Sequence, residues 1–173
     1  MLTIRNAEPS DAALILRFIR ALAEYEREPD AVVATEADIL RDGFGPTPKF
    51  HVLIADWNHK PAAYALYFFV YSTWEGRPGL FLEDIFIIPE LRRRGIGRAL
   101  MQRLAQIALA NNCYGMRWEV LDWNQPAIRS YEAIGATFLD QWRGMRLTGN
   151  ELKRLAESAI EKEMSTIDES MSR

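Results

Sequence analysis

Among its 173 residues the chain has one cysteine, two histidines and no long apolar run. Cys113 alone cannot build an intrachain disulfide framework, and a lone thiol fits a reducing cytoplasm. His51 and His59 beside that cysteine are too few for a zinc site, so no metal is expected. The longest apolar stretch, Ala62 to Tyr71, falls far short of the roughly 20 residues that span a bilayer. The first residues, Met1 to Asn6, lack the charged and apolar regions of a signal peptide, so neither secretion nor a membrane anchor is expected. Lys plus Arg number 21 against 24 acidic residues, a net charge of −3, which excludes a broad electrostatic grip on nucleic acid. No repeat, low-complexity block or interdomain linker interrupts the chain. With 49% hydrophobic and 26% charged residues it reads as one ordinary globular domain with a proper core.

What the chain does have is concentrated between Leu82 and Arg98. Leu82 to Ile88 is apolar apart from Glu83 and Asp84 and predicts a buried strand. Pro89 ends it, having no N–H to give a ladder. Arg92, Arg93 and Arg94 then lead into Gly95, Ile96 and Gly97, and a helical pattern follows with Ile96, Leu100, Leu104 and Ile107 on one face. Glycines at a helix start leave backbone N–H groups pointing outward, where the helix dipole adds positive potential. With the arginines, including Arg98, this makes a candidate anion seat, best suited to a pyrophosphate. The alternative is a basic surface turn before an ordinary helix. Two carboxylates on the strand directly before the turn argue for the seat. The Walker pattern does not occur, and Leu100 stands where a dinucleotide fingerprint wants Gly or Ala.

The remaining elements follow in order. Leu2 to Arg5 alternates as a first strand. Ser10 is the expected cap of a helix presenting Ile15, Phe18, Ile19 and Leu22, which runs out near Glu24 to Arg27 before Pro29. Thr35 and Asp38 form a capping box for a second helix that stops by Gly43. Phe50 to Trp57 and Ala62 to Tyr71 read as strands, joined by a turn at Asn58 to Pro61. Ser72 to Gly79 is a connecting turn. After the long helix from Gly97 to Asn111, in which Cys113 follows as bland core, Met116 to Leu121 predicts a fifth strand. Asn124 caps a last helix with Pro126 in its first turn and Gly135 at its end. Thr137 to Leu139 and Gly144 to Leu147 are further strand candidates, and Glu151 to Met164 reads as a charged amphipathic helix. The class is α+β, a mixed sheet flanked by helices, with a domain over residues 1–150 and a tail over 151–173.

Arg92-x-x-Gly95-x-Gly97 after a hydrophobic strand resembles the acetyl-CoA-binding motif of the GNAT N-acetyltransferase superfamily, and the order of elements matches that fold along nearly the whole chain. A narrower resemblance is to its spermidine/spermine and thialysine acetyltransferase branch. It rests on Tyr71-Ser72-Thr73-Trp74-x-Gly76-Arg77, Leu82-Glu83-Asp84-Ile85, Val120 to Gln125, and Tyr131-x-x-x-Gly135-Ala136. Leu22 to Glu26 and Asp42 to Gly45 add to it.

The resemblance implies a mostly antiparallel central sheet, acetyl-CoA as co-substrate and a small-molecule amine as acceptor. An alkylamine has a pKa of about 10.4, so it must lose a proton before it attacks a thioester. Glu83 matches the carboxylate that relays this proton, and Asp84 adds charge for the cation. Strict strand alternation would send these two to opposite faces, leaving Glu83 alone in the chemistry. Tyr131 matches the tyrosine that protonates the leaving thiolate. Ile85, Phe86 and Ile87 would pair with the pantetheine arm like an added strand. Arg92 to Arg98 would hold the pyrophosphate, and Asn124, Gln125, Pro126 and Ala127 would lie near the cofactor, Asn124 serving equally as a helix cap. Tyr25, Glu26, Trp74, Arg117, Trp118 and Glu119 match substrate-lining segments, though each residue type packs as readily as it binds. No covalent enzyme intermediate is required.

The chain departs from the polyamine enzymes in having Ser72-Thr73 before Trp74, and Arg143 and Met145 in place of a glutamate and a tryptophan. An arginine there would repel a long polycation and favour a smaller, lysine-like or thialysine-like acceptor with its own carboxylate. A homodimer joined through the late strands is implied as well. The alternatives are a protein lysine or N-terminal acetyltransferase, and an acyl-CoA-binding module without turnover. The second would lack Tyr131 or Glu83, and both are present.

Overall fold

The computed structural model describes residues 1–157. The chain divides into two compact units, Met1–Asp122 and Trp123 onward. The first holds a five-stranded sheet in the order β1 (Leu2–Asn6), β2 (His51–Trp57), β3 (Lys60–Ser72), β4 (Arg77–Ile87) and β5 (Met116–Trp118). Neighbours from β1 to β4 are antiparallel, and β5 joins β4 in parallel. A parallel neighbour requires a crossover, and α3 (Ile96–Ala110) supplies it. The other helices of this unit are α1 (Ala12–Tyr25) and α2 (Glu36–Phe44).

The sheet is buried on both faces, which is why β2 and β3 read as apolar runs rather than as alternating strands. On one face Val52, Ile54, Tyr64, Leu66 and Phe86 pack with Ile15, Leu16 and Phe18 of α1 and Ile39 of α2. Leu53 and Ala55 lie across from Ala65 and Ala63 on the other face, where α3 packs over β2, β3 and β4. The stacked rings of Phe18 and Tyr64, 5.3 Å apart and nearly parallel, fix α1 against the sheet. Thr35 and Asp38 close the expected capping box, each accepting the other's backbone N–H. The β2–β3 turn is the tight pair Asn58–His59, both in the left-handed region.

Three expectations are corrected here. Ser10 does not cap α1. Pro9 starts a short 3₁₀ turn, and the carboxylate of Asp11 accepts the Glu8 N–H at 2.8 Å instead. The fifth strand ends at Trp118, not Leu121. One more rung would set Glu119 opposite Glu83, and like charges across a ladder oppose pairing. Residues 137–148 form no strand, and Phe138, Leu139, Met145 and Leu147 are exposed. Alternation alone does not make a strand; it must also pair, and these residues pair with no described strand. In the second unit α4 (Gln125–Glu132) forms as expected, and residues 149–157 are helical. The rest of the expected helix up to Met164 lies outside the described residues.

Asp11 is buried and takes two N–H groups of Arg5 at 2.7 and 2.9 Å, joining β1 to the start of α1. Chiefly through that pair its carboxyl is held below the ordinary value, despite the opposing effect of burial. Asp11→Ala is expected to cost about 2 kcal/mol in urea unfolding, less than a fully buried pair because Arg5 remains partly in water. A lowered carboxyl pKa stabilises above the ordinary value of 3.8. The difference between parent and variant therefore disappears as pH falls from there through the folded value.

Candidate active site

β4 carries the site of the first unit. Its register against β3 pairs Asp84 with Leu66 but Leu82 with Tyr67, so Glu83 is the extra residue of a β-bulge. Upstream, the Leu80 N–H donates to Gly115 on the β5 side. Downstream, Ile88 donates to Ala62 of β3, so Phe86 and Asp84 turn their backbone groups to β3 while Ile85 and Ile87 turn theirs to the opposite edge. The β5 ladder ends at Leu82–Trp118, so among the described strands none pairs with that edge beyond Leu82. Residues 83–87 thus offer an open strand edge.

The bulge also breaks the alternation that would part Glu83 from Asp84. Asp84 lies on the face packed by α1 and accepts a hydrogen bond from the buried Tyr64 hydroxyl at 2.8 Å. Glu26 caps the C-terminal end of α1. Burial, and then the charge of Asp84, raise the Glu26 pKa. Partial burial of its carboxyl, followed by the charges of Asp84 and Glu119, raises that of Glu83, although the residue as a whole is exposed. Asp84 is raised by burial, with the Tyr64 bond pulling the other way. None of Glu26, Glu83 and Asp84 is ion-paired among the described residues. Burial raises all three and the charge of Asp84 adds to the other two, which leaves a local excess of negative charge without a cation of its own among the described residues.

At the end of β4 a 3₁₀ turn, Pro89–Leu91, leads into the arginines. Gly95, the N-cap of α3, has φ +83°, a conformation that L side chains rarely adopt, and no side chain caps the first turn. At Gly97 a Cβ would stand 3.4 Å from Ile87 Cδ1, an ordinary contact, so the packing of this turn on β4 does not itself demand glycine there. Arg93 and Arg98 are exposed, and the Arg94 guanidinium lies 5.7 Å over Trp57. Arg92 differs from the others. It is half-buried, its Nε donates to the Ile87 carbonyl at 3.1 Å, and its guanidinium lies 4.4 Å over the ring of Tyr25.

The structure brings together Tyr25, Glu26, Glu83, Asp84 and Arg92, with Glu119 just beyond β5. Arg117 and Trp118 lie on β5, opposite Phe81 and Leu82. Trp74 is 88% exposed at the β3–β4 turn, about 20 Å along the strand from Glu83. In the second unit Asn124 Oδ1 accepts the Ala127 N–H at a long 3.4 Å, Gln125 and Pro126 open α4, and Tyr131 is half-buried on it. Gly135 at φ +90° closes the helix, and the Ala136 N–H donates to the Tyr131 carbonyl. Arg143 and Met145 are exposed. Sequence reasoning missed Tyr64. Its one signal was a hydroxyl within an apolar strand, since a buried phenol needs a partner.

The first unit thus sets an open strand edge and an uncapped helix start beside three carboxylates without ion pairs among the described residues. Residues 15–136 match the acetyltransferase (GNAT) family. The thialysine N-epsilon-acetyltransferase of Bos taurus is 42% identical, over 88% of this chain and 96% of its own. The spermidine/spermine N(1)-acetyltransferase-like protein 1 of Homo sapiens is 40% identical, over 88% of this chain and 23% of its own. Among solved structures, an integron cassette protein from the mobile metagenome of V. cholerae superposes with a TM-score of 0.75 at 26% identity, covering 90% of this chain and 97% of its own. The chain belongs to the GNAT family and is an N-acetyltransferase; the family draws the acetyl group from acetyl-CoA.

Asp84→Asn keeps an oxygen for the Tyr64 hydroxyl and removes a half-buried charge. A raised carboxyl pKa means that parent stability is lost as pH rises from the ordinary value through the folded one. The variant is therefore expected to melt above the parent at about pH 8 and level with it near pH 4. Equal melting points at both pH values would show that Asp84 carries no electrostatic strain.

Proposed function

We propose that this enzyme acetylates the primary amine of a small, lysine-like or thialysine-like amino acid or a diamine, using acetyl-CoA. The observation that carries the reading is the unpaired carboxylate group beside the open edge of β4. The names of the relatives at 40–42% identity support a small-molecule acceptor over a protein one. We infer a homodimer working in the cytoplasm, with residues 1–150 as the acetyltransferase domain.

The residues present suit acetyl-CoA. The backbone groups of Ile85 and the N–H of Ile87 face the open edge, where an extended pantetheine arm would add as a strand. The first-turn N–H groups of α3 and the exposed Arg93, Arg94 and Arg98 suit a pyrophosphate. Acetyl-CoA supplies a thioester carbonyl open to attack by a neutral amine. Glu26 and Asp84 hold the ammonium. Glu83, its affinity for a proton raised by partial burial and then by the charges of Asp84 and Glu119, takes the proton the amine must lose. An N–H on the β4 edge donates to the carbonyl oxygen as charge develops there. Tyr131 is assigned the donation of a proton to the departing sulfur, and Asn124 to Ala127 the cofactor side of α4.

The test is thiol release from acetyl-CoA with thialysine, lysine, ornithine, putrescine, spermidine and a lysine peptide. Turnover is expected with the amino acids, and Tyr131→Phe should lower kcat about 100-fold. Glu83→Gln should abolish the acidic limb of the pH–rate profile. A preference for the peptide would sink the small-molecule reading, and a preference for spermidine would remove the weight placed on Ser72, Arg143 and Met145.

A further inference from the structure

Arg92 is the first arginine of the loop, yet its side chain turns away from the loop. Arg93 and Arg94 are exposed, whereas Arg92 folds back between β4 and α1. Its Nε–H occupies the carbonyl of Ile87, the last backbone acceptor on the open edge. The plane of the same guanidinium covers Tyr25 at 4.4 Å and flanks Phe86 at 5.7 Å. Tyr25 is the final residue of α1, and the next residue, Glu26, belongs to the carboxylate group. One rigid fork therefore touches the cofactor edge with its nitrogen and the amine side with its face.

We propose that Arg92 is a positioning residue whose side chain couples the acetyl-CoA slot on β4 to the amine seat at the end of α1. This rests on the function proposed above. Ile87 turns its N–H and C=O to the same edge, so an extended ligand that pairs with the N–H abuts the guanidinium held by the C=O. Any preference for one orientation of that guanidinium is transmitted to the Tyr25 ring and hence to Glu26. The coupling is reciprocal, as two ligands biasing one element must be. A lysine keeps the positive charge a phosphate would need but loses both the planar face and the Nε geometry.

Arg92→Lys therefore separates the two roles. It is expected to raise the KM for the amine about tenfold at saturating acetyl-CoA and, the coupling being reciprocal, the KM for acetyl-CoA by a similar factor at saturating amine, while the Kd for coenzyme A alone changes less than about twofold. Tyr25→Leu should do the same, and the double variant should be no worse than either single one. Full retention of the amine KM in Arg92→Lys, an equal loss of coenzyme A binding without amine, or additive single variants would each overturn the proposal. A second readout needs no turnover. Adding coenzyme A alone should slow hydrogen exchange of the α1 C-terminal amides, residues 24–28, in the parent and not in Arg92→Lys. Protection that is absent from the parent or persists in the variant would overturn the coupling. Coenzyme A that binds, with no amine acetylated by the parent, would instead sink the function reading.

Discussion

One extra residue in β4 sets the terms for everything around it. Without the bulge at Glu83, the backbone groups that face β5 upstream would stay in phase along the strand, and Glu83 and Asp84 would be parted by the sheet. With it, Ile85 and Ile87 offer their groups to an edge that no described strand covers. The same shift sets two carboxylates near enough for the charge of Asp84 to add to burial in raising Glu83. It also ends β5, because continuing that ladder would press Glu119 against Glu83. Slot and charge seat are two consequences of a single register change.

The seat works against the stability of the fold. Asp84 is half-buried and compensated by the hydroxyl of Tyr64 rather than by a cation, and Tyr64 is itself held by the ring of Phe18. The large aromatic stack between α1 and the sheet supports a group that would otherwise be ejected into water. Arg5 and Asp11 show the opposite arrangement at the far side of α1, where charge is matched by charge and serves the fold. The contrast separates structural ion pairing from a site left uncompensated for a ligand.

Arg92 shows how a motif residue differs from its neighbours once the fold is known. Three arginines in a row read alike in sequence, and all were expected to serve the pyrophosphate. Only the side chain of Arg92 lies against both β4 and α1, because the 3₁₀ turn at Pro89–Leu91 delivers it there and the left-handed Arg93 turns the following residues outward.

Local chemistry made much of the molecule legible. Pro89 stopping a strand, Gly95 opening a helix, the Thr35–Asp38 box and the Asn124 cap act within a few residues, so the chain alone specified them, and the family followed from their order. The features that failed or were missed depend on partners distant in sequence. Ser10 lost its capping role to an aspartate that β1 claims through Arg5. Phe138 and Met145 lie in stretches that alternate like strands but pair with no described strand. The bulge, the Tyr64–Asp84 bond and the reach of Arg92 are matters of register between β3 and β4 and of where α1 ends. By itself the sequence determined which residues could bind, turn and cap. Which carboxylates share one seat, and which edge stays open beside them, was decided only when the strands aligned, since a shift of one residue reassigns every face and every backbone group.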